Sequence, residues 1–239
     1  PLKKVWYLSE NVFQEKFRWN RLGANPTETF GCISEWDPMS LDLTIHGSIQ
    51  SPGMFGLGRA ATFGLPSNKV NIISHPHGGS FGGKGGTRGC DISCLLSRKV
   101  GGRPVKWIED RMEHLIAANH SREQTHRIRA ATDAEGLILG LDDAFWFNQG
   151  AYARTHGATV PLVSATMLPG PYKIPAYRTT GHIRLTNVTP AGTYRGPGRF
   201  ETTFVREQLM DRIAAELKLD PLAVRRTNLI TSDEMPYER

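Results

Sequence analysis

Hydrophobic and polar positions alternate along several stretches of this 239-residue chain, a period that is typical of half-buried strands. Between Thr27 and Gln50 the alternation predicts two strands around a turn at Asp37 and Pro38. Further strands are predicted at residues 69–74, 103–110, 126–152 and 176–188, the third of these being a hairpin that turns at residues 133–136. The chain is therefore expected to contain at least seven strands.

A helical period appears in four other places. A short helix is predicted at residues 54–63, and a second one carries Ile92, Leu95, Leu96 and Lys99 before it ends at Gly101 and Gly102. The clearest apolar stripe lies in residues 201–217 and comprises Phe204, Leu209, Ile213 and Leu217 together with Val205 and Met210. Asp220 and Pro221 predict the start of a last helix. Residues 150–170 have weak periodicity and suit a loop or a short helix.

These elements predict a mixed α/β protein of the α+β class, because strands and helices follow no regular βαβ rhythm. A doubly wound sheet is therefore not expected. We expect one continuous region over residues 1–239, and the abrupt start "PLKKVWYL" and end "DEMPYER" suggest a piece of a larger protein.

Composition narrows the class of partner. The net charge of +6 comes from 29 basic and 23 acidic residues that are spread along the chain, which argues against nucleic-acid binding. Cys32, Cys90 and Cys94 form no C-x-x-C pair, so neither a disulfide framework nor a zinc site is expected, and Cys90 and Cys94 suit one face of a buried helix. No apolar run approaches a membrane span and no signal peptide is visible, so we expect a cytoplasmic protein without a membrane span.

The stretch "NIISHPHGGSFGGKGG", residues 71–86, is the strongest candidate for chemistry. Gly78, Gly83 and Lys84 match most of the nucleotide P-loop pattern, but Gly85 stands where the Mg²⁺-binding Ser or Thr belongs, and Thr87 comes too late. Backbone N–H groups of such a loop can point at an anion or an oxo group. A true P-loop and a purely structural turn remain the alternatives.

Other segments are weaker candidates. The second glycine loop, "TYRGPGRFE", offers Arg195 beside Gly196 for a phosphate, carboxylate or carbonyl, although a surface ion pair would look the same. Gln50 can donate through its amide or simply be a solvated turn residue. The segment "EDRMEH" is typical of a charged face, and His75 and His77 lack a third metal ligand in motif spacing. The residues alone indicate an anion or oxo-group cradle with an arginine.

Six collinear stretches resemble the molybdopterin-binding subunit of the family of xanthine dehydrogenase, aldehyde oxidoreductase and carbon monoxide dehydrogenase. They are "NRLGANPTETFGCISEWDP", "LTIHGSIQSPGMFGLGRAATFGLPSNKVNII", "GGSFGGK", "GRPVKWIEDRMEHL", "PYKIPAY" and "TYRGPGRFETTFVREQLMDRIAAELKLDPLAVRRTNLI". The resemblance covers the chain from about residue 20 onward. It implies the N-terminal half of a molybdenum subunit, as a fragment or a split subunit, whose cofactor-binding fold is incomplete without a partner segment.

The resemblance also implies roles for individual residues. The loop residues Gly79, Ser80, Phe81 and Gly82 would lie against the molybdenum end of the cofactor. Gln50 would donate a hydrogen bond to the apical oxo ligand, so that the metal is held through the cofactor and not by the chain directly. The loop residues Thr193, Tyr194, Arg195 and Gly196 would support the cofactor and one wall of the substrate pocket, which places Gln50 and Arg195 in the catalytic site.

The implied activity is hydroxylation of an aldehyde or an N-heterocycle, with water as the oxygen source and electrons passing to iron–sulfur clusters. A glutamate base would come from a second molybdenum-subunit segment, the cofactor would be the cytosine dinucleotide form, and iron–sulfur and FAD-containing flavoprotein subunits would complete the complex. The chain alone would be inactive.

Several departures from the family pattern restrict the substrate. Gly85 replaces a purine-binding glutamate, Val163 stands near the position of an arginine, and Pro197 replaces an aromatic residue, so xanthine is disfavoured. A cysteine that copper-containing members carry after Tyr-Arg is missing. The alternative function is a non-catalytic nucleotide- or phosphate-binding module, and a purely structural subunit is a third hypothesis.

Overall fold

The computed structural model describes residues 2–85, 88–154 and 156–238. The strands are β1 (Asn11–Trp19), β2 (Leu22–Gly23), β3 (Gly31–Trp36), β4 (Leu43–Gly47), β5 (Val70–Ser74), β6 (Val105–Ile108), β7 (His120–Ser121), β8 (Gln124–Thr132), β9 (Ile138–Gly150) and β10 (Tyr177–Leu185). The helices are α1 (Leu2–Leu8), α2 (Pro52–Phe63), α3 (Arg88–Lys99), α4 (Arg111–Ala117), α5 (Thr159–Met167), α6 (Arg199–Leu217) and α7 (Pro221–Asn228). The expected mixture of strands and helices is confirmed.

The chain divides into two compact units. The described residues of the first unit fall within Pro1–Arg21, Arg122–Val188 and Gly196–Arg239, and those of the second within Leu22–Ser121 and Thr189–Arg195. Each unit has its own sheet and its own buried cluster. That residues 1–239 act as one molybdopterin-binding region therefore remains a prediction.

The first unit contains a four-stranded sheet in the order β1-β8-β9-β10. Helix α6 packs on one face of this sheet. Strands β8 and β9 form the predicted hairpin, and β9 and β10 are parallel. The predicted stripe of α6 is confirmed: Leu209 and Ile213 are buried with Ile128 and Leu141 of the sheet, and Phe204 packs against this cluster. Helix α7 begins as predicted, because the Asp220 carboxylate accepts the N–H groups of its first turn.

The second unit contains a four-stranded sheet in the order β5-β4-β3-β6. Strand β3 is antiparallel to β4 and β6, whereas β4 and β5 are parallel and joined by α2. Phe30, Trp36, Leu43, Ile45 and Phe55 belong to its buried cluster. This sheet positions the predicted glycine loop, which lies between the end of β5 and the start of α3.

Helix α3 exists where the period predicts it, but its apolar positions are not the buried ones. Ile92, Leu95 and Leu96 are exposed. The buried positions include Cys90 and Cys94, as predicted, together with two serines. The Ser93 hydroxyl lies 2.8 Å from that of Ser34 on β3, and the Ser97 hydroxyl accepts the backbone N–H of Trp36. Small side chains let the helix approach the sheet closely.

The described residues include no helix that is both long and apolar enough to cross a membrane.

Candidate functional site

The glycine loop turns sharply after β5 and carries an aromatic side chain at its tip. Phe81 has a φ of 51°, in the left-handed region that non-glycine residues seldom adopt. Phe81 is 44% exposed although Ser80 and Gly82 on either side are buried. A strained backbone that presents a large apolar group to the outside is a feature of ligand-binding loops. Gly86 and Thr87, at the end of the loop, lie outside the described residues.

The side chain of Gln50 is fixed by this loop. Its amide oxygen Oε1 accepts the backbone N–H of Gly82 at 2.9 Å and also the hydroxyl of Ser80. Because a backbone N–H can only donate, the amide orientation is determined and Nε2 carries two N–H donors away from these partners. Among the described residues, Nε2 has no hydrogen-bond partner.

Most backbone N–H groups of the loop are used inside it. The N–H of Gly83 donates to the Ser80 carbonyl at 2.8 Å, that of Lys84 donates to the Ser80 hydroxyl at 3.1 Å, and that of Gly79 donates to the His77 carbonyl. The expectation that the loop's N–H groups point at an anion is therefore wrong for these three and for Gly82. Within the described part of the chain, only those of Ser80 and Phe81 have no partner in the loop's central stretch, residues 79–84.

Lys84, the lysine of the P-loop pattern, is turned inward. Its side chain is 0% exposed and its Nζ lies 2.9 Å from Oε2 of Glu28, which also accepts the N–H of Gly78 at 2.7 Å. Partial burial opposes ionisation of Glu28, but the Lys84 ammonium and the Gly78 N–H outweigh it and hold the pKa of this carboxyl below its ordinary value. A lysine that is buried against a carboxylate does not reach a nucleotide phosphate. The cation that a nucleotide P-loop requires is therefore not available from Lys84.

The second glycine loop meets the first. The backbone N–H of Arg195 donates to the carbonyl of Phe81 at 3.0 Å. A Cβ atom at position 82 would overlap the carbonyl oxygen and the methyl group of Thr193, and Gly82 also has a φ of 99°, so only glycine fits there. The Arg195 side chain is exposed. The structure thus brings Gln50, the glycine loop, Thr193 and Arg195 together within the second unit.

Gly196, the next predicted residue, belongs to the first unit. Its carbonyl accepts a hydrogen bond from Arg122 Nη1 at 3.2 Å, and the same nitrogen lies 3.3 Å from Oε2 of Glu201. Burial raises the pKa of the Glu201 carboxyl, against the opposing influence of Arg122. This buried pair ties the end of the second loop to the start of α6.

Sequence reasoning missed the residues behind the glycine loop. Asn119 is buried and donates to the Gly82 carbonyl at 3.4 Å, and buried His114 places Nδ1 2.9 Å from Glu109. In the segment "EDRMEH", Asp110 and Glu113 form a capping box that starts α4. The acidic residues Asp110 and Glu113, which the sequence suggests are part of a solvated charged face, cap the helix. No local sequence pattern predicts that Glu109 and His114 are buried.

The described residues include no group of three or more His, Cys, Asp or Glu side chains that could hold a metal ion directly. The unpartnered donors of Gln50, Ser80 and Phe81 instead suit oxygen or sulfur acceptors of a bound group, and Gly82 permits the close approach of the second loop. This set of donors fits the polar atoms of a bound cofactor.

Comparison with known proteins agrees with this geometry. The profile of the molybdopterin cofactor-binding domain matches residues 2–229. The chain is 38% identical over 229 residues to the 6-hydroxypseudooxynicotine dehydrogenase complex subunit gamma of Paenarthrobacter nicotinovorans, covering 96% of this chain and 29% of that protein. It is 32% identical to the nicotine 6-hydroxylase large subunit of the same organism, with 96% and 28% covered.

Solved structures give the same result. Quinoline 2-oxidoreductase from Pseudomonas putida 86 superposes with a TM-score of 0.91 at 30% identity, over 100% of this chain and 31% of that one. Reconstituted CO dehydrogenase from Oligotropha carboxidovorans gives a TM-score of 0.90 at 27% identity, over 98% and 30%. The chain spans about 30% of the length of these relatives, which is less than the half that the resemblance suggested. It belongs to the molybdopterin cofactor-binding domain family.

Proposed function

We propose that this chain holds one side of a molybdenum–molybdopterin cofactor within a molybdenum hydroxylase. The observation that carries the proposal is the amide of Gln50, whose oxygen is fixed by Ser80 and Gly82 while its two N–H donors have no partner among the described residues. A pre-oriented donor is effective because no reorganisation is needed when an acceptor binds. Family membership supplies the class of acceptor.

The residues around Gln50 would act as a cradle. The N–H groups of Ser80 and Phe81 would donate to the cofactor, and the Phe81 ring would cover it on one side. Gly79 and Gly82 give the loop its turns, with φ values of 90° and 99°. These residues would bind and orient the cofactor and keep water from its metal end.

The second loop would add positive charge. Thr193 packs on Gly82, and the exposed guanidinium of Arg195, with Gly196 next in the chain, would attract an anionic part of the cofactor or a substrate carbonyl. When bound, the molybdenum centre would supply oxidative hydroxylation with water as the oxygen source. The proton-accepting glutamate would belong to a second segment of the molybdenum subunit.

For the whole protein we infer an N-heterocyclic substrate, with an aldehyde as the alternative, because relatives named for nicotine and quinoline chemistry match most of this chain. Both relatives are named as subunits, one of them as the gamma subunit of a complex. We infer an iron–sulfur subunit as the electron acceptor, an FAD flavoprotein beyond it, and the cytosine dinucleotide form of the cofactor.

The substitution Gln50→Glu tests this proposal. Glutamate keeps an oxygen that accepts from Ser80 and Gly82, so the fold should persist, but it replaces the outward donor by a negatively charged acceptor. We expect the molybdenum content of the purified full-length protein to fall about tenfold or more. The new carboxylate would lie against an anionic part of the cofactor, and like charges in contact cost several kcal/mol. Metal analysis of the purified protein measures this.

Gln14→Glu, on the exposed side of β1, is the matched control and should leave the molybdenum content unchanged. If the Gln50→Glu variant keeps the molybdenum content of the wild type, Gln50 supports the loop and does not bind the cofactor. A metal-free wild-type protein that binds ATP with Mg²⁺ would instead favour the nucleotide-binding module.

A further inference from the structure

One face of the first unit's sheet carries a concentration of cations that the described residues do not neutralise. Lys16 and Arg18 on β1, Arg127 on β8 and Arg184 on β10 lie on the face opposite α6. None of the four forms an ion pair with another described residue. We call these four residues the basic face.

Nearby carboxylates are already engaged. Asp142 on the same face pairs with Arg178 at 2.6 Å, and Glu123 pairs with Arg21 at 2.9 Å. The positive charge of the basic face therefore has no internal counterpart among the described residues.

The register of the strands makes this arrangement unfavourable for the isolated unit. Lys16 lies directly opposite Arg127 in the antiparallel pairing of β1 with β8. Like charges at opposed positions of neighbouring strands repel and destabilise the sheet. A partner that brings negative charge to this face would offset the repulsion.

The aromatic ring at the centre of the face is contacted by two neighbouring side chains. The Trp146 ring stacks on His182 from β10, with centroids 5.0 Å apart, and the Arg127 guanidinium from β8 lies 5.3 Å from the same ring. Because β8 and β10 flank β9, the two groups cover opposite sides of Trp146. These neighbours occupy the positions beside Trp146 where a base would stack, which disfavours single-stranded nucleic acid.

The dimensions indicate a broad ligand. A shallow depression of about 270 Å³ lies between Lys16, Arg18, Trp146 and Arg184. The cations extend from β1 to β10, which is three strand spacings or about 14 Å, so one phosphate or carboxylate cannot contact them all. Side chains of helix α1 lie against the Gly140 end of this face, whereas the four cations of the basic face are exposed and Trp146 is half-buried.

We propose that the basic face binds a carboxylate-rich surface of a partner protein. Arginine and tryptophan are enriched at protein interfaces, and complementary charge speeds encounter and selects the partner. The inference concerns the outer side of the first unit's sheet and does not depend on cofactor binding by the glycine loop.

A poly-glutamate peptide, fluorescently labelled, serves as the probe for the full-length protein, and an oligothymidylate of equal charge serves as the comparison. Fluorescence anisotropy should show salt-sensitive binding of the peptide that Lys16→Glu/Arg184→Glu weakens by about tenfold. Lys16→Glu alone should weaken binding yet raise the thermal midpoint, because it places opposite charges across β1 and β8.

Lys99→Glu/Arg226→Glu changes the net charge equally at exposed positions elsewhere and should leave peptide binding unchanged. The proposal is overturned if the peptide does not bind or if this control loses as much affinity as the test variant. It is also overturned if the oligothymidylate binds more tightly and loses affinity in the same test variant, since the face would then suit nucleic acid.

Discussion

At the scale of single residues, Phe81 and Gly82 show how the candidate site is built from strained backbone. A non-glycine residue in the left-handed region costs about 1–3 kcal/mol and persists only where its surroundings fix it. The Phe81 carbonyl is fixed by the N–H of Arg195, and the Gly82 N–H is fixed by Gln50. The loop conformation therefore depends on contacts from two distant parts of the chain.

The substitution Gly82→Ala should be far more damaging than a comparable change elsewhere. Its methyl group would overlap Thr193 in addition to the cost of a positive φ, so we expect a loss of about 3 kcal/mol of unfolding free energy. Gly101→Ala is the control, since Gly101 has a φ of 74° with open space around it and should lose about 1 kcal/mol. Urea unfolding measures both, and equal losses would contradict the contact with Thr193.

Residue patterns could predict only part of this site. The sequence pattern alone predicts the two glycine loops and places Arg195 in the second. That the two loops lie together, and the expected role of Gln50, are implied only by the family resemblance. The pairing of Lys84 with Glu28 joins residues 56 positions apart, and no local period encodes it. For that reason the lysine of the P-loop pattern looked available for phosphate when it is buried.

At the scale of elements, the glycine loop is fixed to the segment that precedes β3. Glu28 receives both Lys84 and the N–H of Gly78, so one carboxylate holds two points of the loop. Asn119, just after α4, holds the Gly82 carbonyl from another side. Contacts from several elements thus keep the loop in one shape before any ligand binds.

The ion pair of Glu28 and Lys84 should affect stability asymmetrically. Glu28→Gln leaves the buried Lys84 ammonium without its countercharge, and we expect a loss of about 1 kcal/mol at neutral pH, a figure reduced because Glu28 is 47% exposed. Lys84→Met removes the buried charge itself and should cost less. A larger loss for Lys84→Met would contradict this account.

The pH dependence of this difference has a definite sign. Because the folded-state pKa of Glu28 is lowered, the pair's contribution is present above the unfolded-state pKa and is lost as the pH falls through the folded value. The stability difference between wild type and Glu28→Gln should therefore shrink below about pH 4. Denaturant unfolding across this range measures it.

Elements with a strong period were predictable and others were not. The hairpin of β8 and β9 and the long helix α6 follow from alternation and from an apolar stripe. Strand β1 has charged residues on its outward positions and was not predicted, and the buried side of α3 carries cysteines and serines in place of aliphatic residues. Hydrophobic periodicity does not detect a helix that packs through small polar side chains.

At the scale of the whole molecule, the chain spans only part of the length of its relatives. It covers 29% of the gamma subunit with which it shares 38% identity. The boundary between its two compact units falls between Arg195 and Gly196. Helix α3 also exposes three apolar side chains, those of Ile92, Leu95 and Leu96. Under the proposed function we expect further residues of the full-length protein to complete the catalytic site.

The most direct test is anomalous diffraction at the molybdenum edge from crystals of the full-length protein. We predict one molybdenum peak per chain on the surface formed by Gln50, Phe81 and Arg195, with a ligand oxygen within hydrogen-bond distance of Gln50 Nε2. A molybdenum peak remote from these residues, or none together with nucleotide phosphates bound at the glycine loop, would contradict the account.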